Sequence, residues 1–191
     1  MKAIIFYFLL ILFRMNLLGQ TGYDHIDREA LFILKAGFNK QDTTRLCISE
    51  IRNFETAESI FGKPDEINQY FDEMSKQNYT RIVYQDGLEL RIPEIEKTLR
   101  FNILSENYSV LLKDGQEIKI GMAGENLKAI FPDSYQKRII ISNIFNKGKI
   151  SVSVFFSRIV DNKVIFEDSY IDFILNEKSQ RIEQIRTYYP Q

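Results

Sequence analysis

The chain of 191 residues balances 25 Lys and Arg against 26 Asp and Glu, and 45% of it is hydrophobic, including 15 Phe and 10 Tyr. A formal net charge of −1 gives no electrostatic basis for binding nucleic acid or an anionic membrane, and so much apolar material argues against long disordered stretches. One Cys and one His in the whole sequence exclude an intramolecular disulfide and leave little from which to build a zinc site or a Ser-His-Asp centre.

The chain opens with Lys2 and an unbroken apolar run from Ala3 to Phe13, interrupted at Arg14 and Asn16. Spanning a bilayer takes about 20 apolar residues, so the run is too short for an anchor and suits the core of a cleavable signal peptide. Residues 1–19 are read as that peptide, with cleavage after Gly19 and Gly22 as the nearby alternative. No cysteine lies near either site, so no lipid anchor is expected after cleavage, and the protein is expected in the periplasm or outside the cell. Residues 20–44 are read as an N-terminal helical segment. Within it, Tyr23–Phe38 carries Ile26, Ala30, Leu31, Ile33 and Leu34 at roughly helical spacing, with Asp24 as N-cap and Gly37 as stop.

Strand signals begin at Arg45–Ile51, which holds the lone Cys47. A single thiol in an oxidising compartment is best buried, and that is the role expected of it. Glu55–Phe61 reads as a short helix closed by Gly62 and Pro64. Tyr79–Gln85 and Leu88–Ile92 flank Asp86-Gly87, a tight-hairpin signal. Leu99–Leu104 and Tyr108–Leu112 follow, and a second turn at Asp114-Gly115 leads into Glu117–Ile120. Gly124–Phe131 is a second short helix, stopped by Pro132. The remaining strands are Arg138–Phe145, Lys149–Arg158, Lys163–Glu167 running into Tyr170–Leu175, and Arg181–Tyr189, with turns at Gly148 and Asp161-Asn162.

The halves look alike. Ala57–Pro64 and Leu127–Ser134 each place Ile-Phe at the end of a short helix just before a proline, and Tyr84–Ile92 parallels Phe166–Ile174. The expected class is therefore α+β. Two tandem helix-plus-antiparallel-sheet repeats, over 45–120 and 121–191, would form one extended sheet with short helices on one face. Ile82, Tyr84, Leu88, Leu90 and Ile92 supply the buried face in the first half, and Ile150, Val152, Val154 and Phe156 in the second. The opposite, solvent-facing side would carry Tyr79, Arg81, Glu89, Arg91, Arg100, Phe155 and Tyr170.

This arrangement resembles the beta-lactamase-inhibitor-protein-like fold, and in single copy the small lipoprotein of the outer-membrane barrel assembly machine. The residues that carry the likeness are Ala57-Glu58-Ser59-Ile60-Phe61-Gly62-Lys63-Pro64, then Tyr84-Gln85-Asp86-Gly87-Leu88, and Ile120-Gly121-Met122 through Leu127-Lys128-Ala129-Ile130-Phe131-Pro132. The likeness covers roughly residues 45–189. It implies a protein partner, either an inhibited enzyme or an envelope component.

Chemistry is sparse. His25 stands alone near the start of the mature chain and is expected to be a surface histidine. Asp65/Glu66, Glu94/Glu96 and Glu167/Asp168 are the carboxylate pairs that a hydrolase could use, but all sit at turns or strand ends, where solvated charge is ordinary. No glycine-rich phosphate loop or calcium loop is present. No catalytic residue, cofactor or metal is expected. The function expected is a non-enzymatic protein-binding module that uses Tyr79, Arg81, Arg91, Arg100, Phe155 and Tyr170, since Tyr and Arg combine contact area with polar reach. The alternatives are a carrier of an apolar small ligand, which a closed barrel would favour, and a carboxylate-based hydrolase, which a pocket with two converging acids would favour.

Overall fold

A computed structural model describes residues 22–36, 46–51, 53–95, 99–141, 148–161 and 163–188. The signal peptide read over 1–19, the stop at Gly37 and the turn residue Asn162 lie outside the described residues. The fold is mostly sheet with a few short helices, a mixed α+β class.

Over the described residues 22–36 the expected N-terminal helix is not formed. In its place β1 (His25–Asp27), a 3-10 turn (Arg28–Ala30) and β2 (Leu31–Lys35) follow one another. Leu31 and Ile33 are fully buried while Phe32 and Leu34 are half-buried, a period of two that the sheet reads and a helix cannot. Asp24 caps an element far along the chain instead of its own. Its carboxylate accepts from the Ser134 backbone N–H at 2.8 Å, and its own N–H donates to Ser134 Oγ at 3.0 Å.

Helix α1 (Phe54–Phe61) starts where the Asn53 side chain accepts from the Thr56 N–H at 2.9 Å, and ends at Gly62, whose φ of +85° favours glycine. A meander of β4 (Glu66–Asp72), β5 (Gln77–Tyr84), β6 (Leu88–Pro93) and β7 (Arg100–Ile103) follows. β4 carries no clean apolar alternation and was not expected; it pairs with β5 along its whole length from Glu66↔Val83 to Asp72↔Gln77. Next come β3 (Leu46–Cys47), placed earlier in the chain, and β8 (Tyr108–Leu112) and β9 (Glu117–Lys119), which join β2 in a separate four-stranded sheet of order β3-β2-β8-β9. That second sheet corrects the expectation of one continuous sheet.

Helix α2 (Gly124–Ile130) is followed at once by α3 (Pro132–Gln136). Pro132 does not simply stop the chain's helical run. It occupies the first position of the next helix, where its missing N–H costs nothing. A second meander of β10 (Ile139–Ile141), β11 (Lys149–Val160), β12 (Lys163–Asn176) and β13 (Ile182–Tyr188) completes the chain. The inner strands β7 and β13 pair antiparallel, giving a nine-stranded sheet of order β1-β11-β12-β13-β7-β6-β5-β4, with β10 also on β11. Among the described residues this sheet is open, not a closed barrel.

One apolar face of the large sheet packs under the helices and the small sheet. Phe61, at the end of α1, sits edge-on to Tyr84 of β5 and Tyr108 of β8 at 5.9 Å from each. Phe131, after α2, stacks on Phe173 of β12 at 5.7 Å. Both phenylalanines are buried in a single core cluster that draws on both sheets. The segment likeness between Tyr84–Ile92 and Phe166–Ile174 is out of phase with the pleat. It sets the core residues Leu88 and Leu90 against Tyr170, which is half-exposed, and Asp172, which bonds serines on the opposite face.

Candidate functional site: the open face of the large sheet

Each strand alternates, so everything that does not enter the core lies on the opposite face of the sheet. The register aligns two rows there. In the first, Arg81 of β5 stands opposite Arg91 of β6, and Arg91 opposite Arg100 of β7. In the second, Glu89, Asn102, Arg186, Asp172 and Ser153 follow one another across β6, β7, β13, β12 and β11. Antiparallel pairing of Asn102 with Arg186 brings Arg100 alongside Tyr188, and the first row then continues through Tyr188↔Tyr170, Tyr170↔Phe155 and Phe155↔His25. A cationic half and an aromatic half therefore share one row.

Like charges directly opposite on a sheet repel, so the arginine row needs counter-charge. Glu89, only 15% exposed, provides most of it. Its Oε2 accepts from Arg81 Nη2 at 3.0 Å and its Oε1 from Arg91 Nε at 2.7 Å. Burial pushes the Glu89 carboxyl upward, but the hydrogen bonds from Arg81 and then Arg91 outweigh it and hold the group below the usual range. The same Glu89 bond raises Arg81 further. Glu66 adds a longer contact to Arg81 at 3.5 Å. Arg100 lies over the Tyr79 ring at 4.9 Å, a cation–π contact.

The aromatic half is a run of ring contacts. Tyr170 and Tyr188 rings are 4.9 Å apart, Phe155 and Tyr170 5.4 Å, and Tyr23 meets Phe155 edge-on at 5.0 Å. Burial first, then the Asp172 carboxylate, pushes the Tyr170 phenol up to about 12. Asp172 is buried beneath this half, accepting from Ser153 Oγ at 2.6 Å and Ser151 Oγ at 2.9 Å, with Arg186 Nη2 farther off at 3.5 Å.

Of the six residues expected on this face, Arg81, Arg91, Arg100, Phe155 and Tyr170 share the first row. Tyr79 is a correction. It is 1% exposed, because Tyr70 stacks on it at 5.7 Å and Arg100 covers it. Arg186, Tyr188, Asn102 and Gln184 share this face as well and are not among the residues expected there. Gln184, Arg186 and Tyr188 alternate with the core residues Ile185 and Thr187, so the period-two pattern of β13 carried the signal. Together with Glu89, Arg91 and Arg100 they line a groove of about 500 Å³ along the middle of the face, with exposed Met74 at its rim.

The other candidates are tied up locally. Asp65 accepts from the Gln85 N–H at 2.8 Å, and Glu167 pairs with Arg28 and, at 3.8 Å, with Arg158. Glu96 lies outside the described residues. His25 packs its ring on Phe166 at 4.2 Å. Cys47 is a buried free thiol, 3.2 Å from the Glu29 carbonyl and 2.9 Å from Ser49 Oγ. Among the described residues no cluster of three or more His, Cys, Asp or Glu could hold a metal ion, and no helix is long and apolar enough to cross a membrane. Comparison with known proteins finds no matching family model, no similar curated protein and no similar solved structure.

Proposed function

We propose that the chain is an exported, non-enzymatic binding module that engages another protein through the open face of its large sheet. The observation that carries this reading is the continuous row in which Arg81, Arg91 and Arg100 run into Tyr188, Tyr170 and Phe155. Antiparallel sheets ordinarily turn a plain polar side to water. Here that side holds arginines and contacting aromatics, the residue types that anchor protein interfaces. Two helix-plus-four-strand units, joined at β7 and β13, would make this face by placing one unit's arginines beside the other's aromatics. This tandem reading rests on the repeated order of helix and meander, and on a Phe at each helix end packing on an aromatic of its own meander. The resemblance to inhibitor-like and envelope-assembly proteins points to the same use of the sheet.

Site-specific photo-crosslinking tests the reading. A photoreactive residue at Tyr170 or Arg91 is expected to give discrete protein adducts in envelope extract or culture fluid, while the same group at Lys128 on α2 gives none. Adducts no stronger at the face than at Lys128 would overturn it. Export is checked by N-terminal sequencing of protein recovered outside the cytoplasm, where the new terminus is expected at Gln20 or Tyr23.

A further inference from the structure

The groove across the centre of the face is lined chiefly by charged and polar side chains. Three guanidiniums, from Arg91, Arg100 and Arg186, line it on three neighbouring strands, with Glu89 as the acid among the lining residues. Neighbouring strands lie about 4.8 Å apart and Arg186 sits two residues, about 7 Å, along from the Arg91–Arg100 row, so the three Cα atoms fall within roughly 12 Å. Arg91 is satisfied by Glu89 at 2.7 Å. Arg186 is not well served: its contact to Asp172 is 3.5 Å long, and its buried Nε has no acceptor among the described residues. A guanidinium carries five donors in a planar fork, so Arg186 keeps donor capacity that no described residue takes up. Asn102 and Gln184 side chains, bonded to each other at 2.8 Å, add an amide pair on the floor. At one end stands Tyr188, 47% exposed, and at the rim Met74, 77% exposed.

We infer that this groove binds an acidic segment of a protein partner, with a carboxylate on Arg186, Arg100 adding positive charge beside it, and an apolar neighbour on Met74 and Tyr188. The inference deepens the proposed function and rests on it. Planar carboxylates match the arginine fork. The groove is open, since Arg91, Arg186 and Tyr188 keep 47%, 38% and 47% exposure. An open trough between adaptable Met and Tyr side chains suits an extended chain better than an enclosed small anion.

The test is fluorescence anisotropy on the mature chain with three labelled peptides of equal length, alternating Tyr with Glu, with Gln or with Lys. The Glu peptide is expected to bind more tightly than the Gln peptide and the Lys peptide not to bind, with affinity falling as salt rises. The double variant Arg100→Met/Arg186→Met is expected to weaken the Glu peptide by about tenfold or more. The pair Arg100→Lys/Arg186→Lys, which keeps charge and loses the fork, is expected to fall between, and near-UV circular dichroism reports whether each variant is folded. Equal binding of Glu and Gln peptides by the wild type overturns the inference, as does full affinity in a folded Met variant. Displacement of the Glu peptide by inorganic phosphate at similar concentration would make the groove a phosphate site and overturn it as well. If the peptides fail while photo-adducts still form at Tyr170, the acidic-segment inference falls and the sheet-face reading stands; if both fail, both fall.

Discussion

Replacing Glu89 with Gln isolates the electrostatics of the arginine row. Each oxygen of Glu89 serves a different arginine, Oε2 taking Arg81 at 3.0 Å and Oε1 taking Arg91 at 2.7 Å. Glutamine keeps one acceptor and turns an amide N–H₂ toward the other guanidinium, so one bond is lost and the other loses its charge. The Arg81 contact is partly buried, with side-chain exposures of 32% and 15%, and is worth about 1–1.5 kcal/mol. Arg91 is 47% exposed, so solvent screening discounts its contact to about 0.5 kcal/mol. Unrelieved repulsion between Arg81 and Arg91 adds a few tenths, roughly 0.2–0.5 kcal/mol. The variant should therefore lose about 2 kcal/mol, or a Tm drop of about 4–8 °C for a domain of this size. Thermal denaturation followed by circular dichroism at about 0.01 M salt reads the loss, and at about 1 M salt, where the Debye length falls to about 3 Å, the loss should shrink. The pH dependence has a fixed sign. Because the folded Glu89 carboxyl is depressed, its contribution is complete above the ordinary Glu value of about 4.3 and drains away as pH falls through the lower folded value. Wild type and variant should thus differ at neutral pH and converge in acid. A loss under about 0.5 kcal/mol at low salt, or a gap that persists unchanged into acid, would refute the reasoning, since both follow from charge-assisted bonds.

Two other changes probe the framework. Gly87 closes the β5–β6 hairpin with φ +114°, and a Cβ there would lie 2.9 Å from the Ser105 backbone nitrogen; Gly87→Ala is expected to cost more than about 2 kcal/mol, read as a lower denaturant midpoint with unchanged slope. Tyr84 packs on Phe61 but its buried hydroxyl has no partner among the described residues. Tyr84→Phe should be neutral or stabilising by up to about 1 kcal/mol. It should also remove one phenol from the alkaline titration near 295 nm, since burial pushes Tyr84 up to about 12. With its folded value raised by burial, the wild type loses stability as pH climbs from the ordinary value of about 10 toward 12, and the Phe variant is spared that loss.

Local chemistry by itself determined much of the framework. The hairpin at Asp86-Gly87, the helix closed by Gly62, and the alternation of Leu88, Leu90 and Ile92 against Glu89 and Arg91 all depend on neighbours within a few residues. So did the choice of Arg81, Arg91 and Arg100 for one face, because the pleat assigns faces by parity. The N-terminal stretch was misread because Leu31, Ile33 and Leu34 fit a helical and an alternating template over so short a span. Pairing of β2 with β8, from Leu31↔Leu112 to Lys35↔Tyr108, decides between them. β4 was illegible because it is an edge strand with little to bury, and its conformation comes from its ladder to β5.

What only the tertiary structure decided is which strands are neighbours. Parity could put arginines and aromatics on the same side of a sheet, but their union in one row depends on β7 pairing with β13 across about 80 residues of chain. That long-range pairing sets Arg100 beside Tyr188, brings Arg186 and Gln184 into the groove, and leaves Tyr79 buried under Arg100. Sequence period reports which face a side chain takes; the register between distant strands, fixed by burial of the shared core, reports what stands next to it.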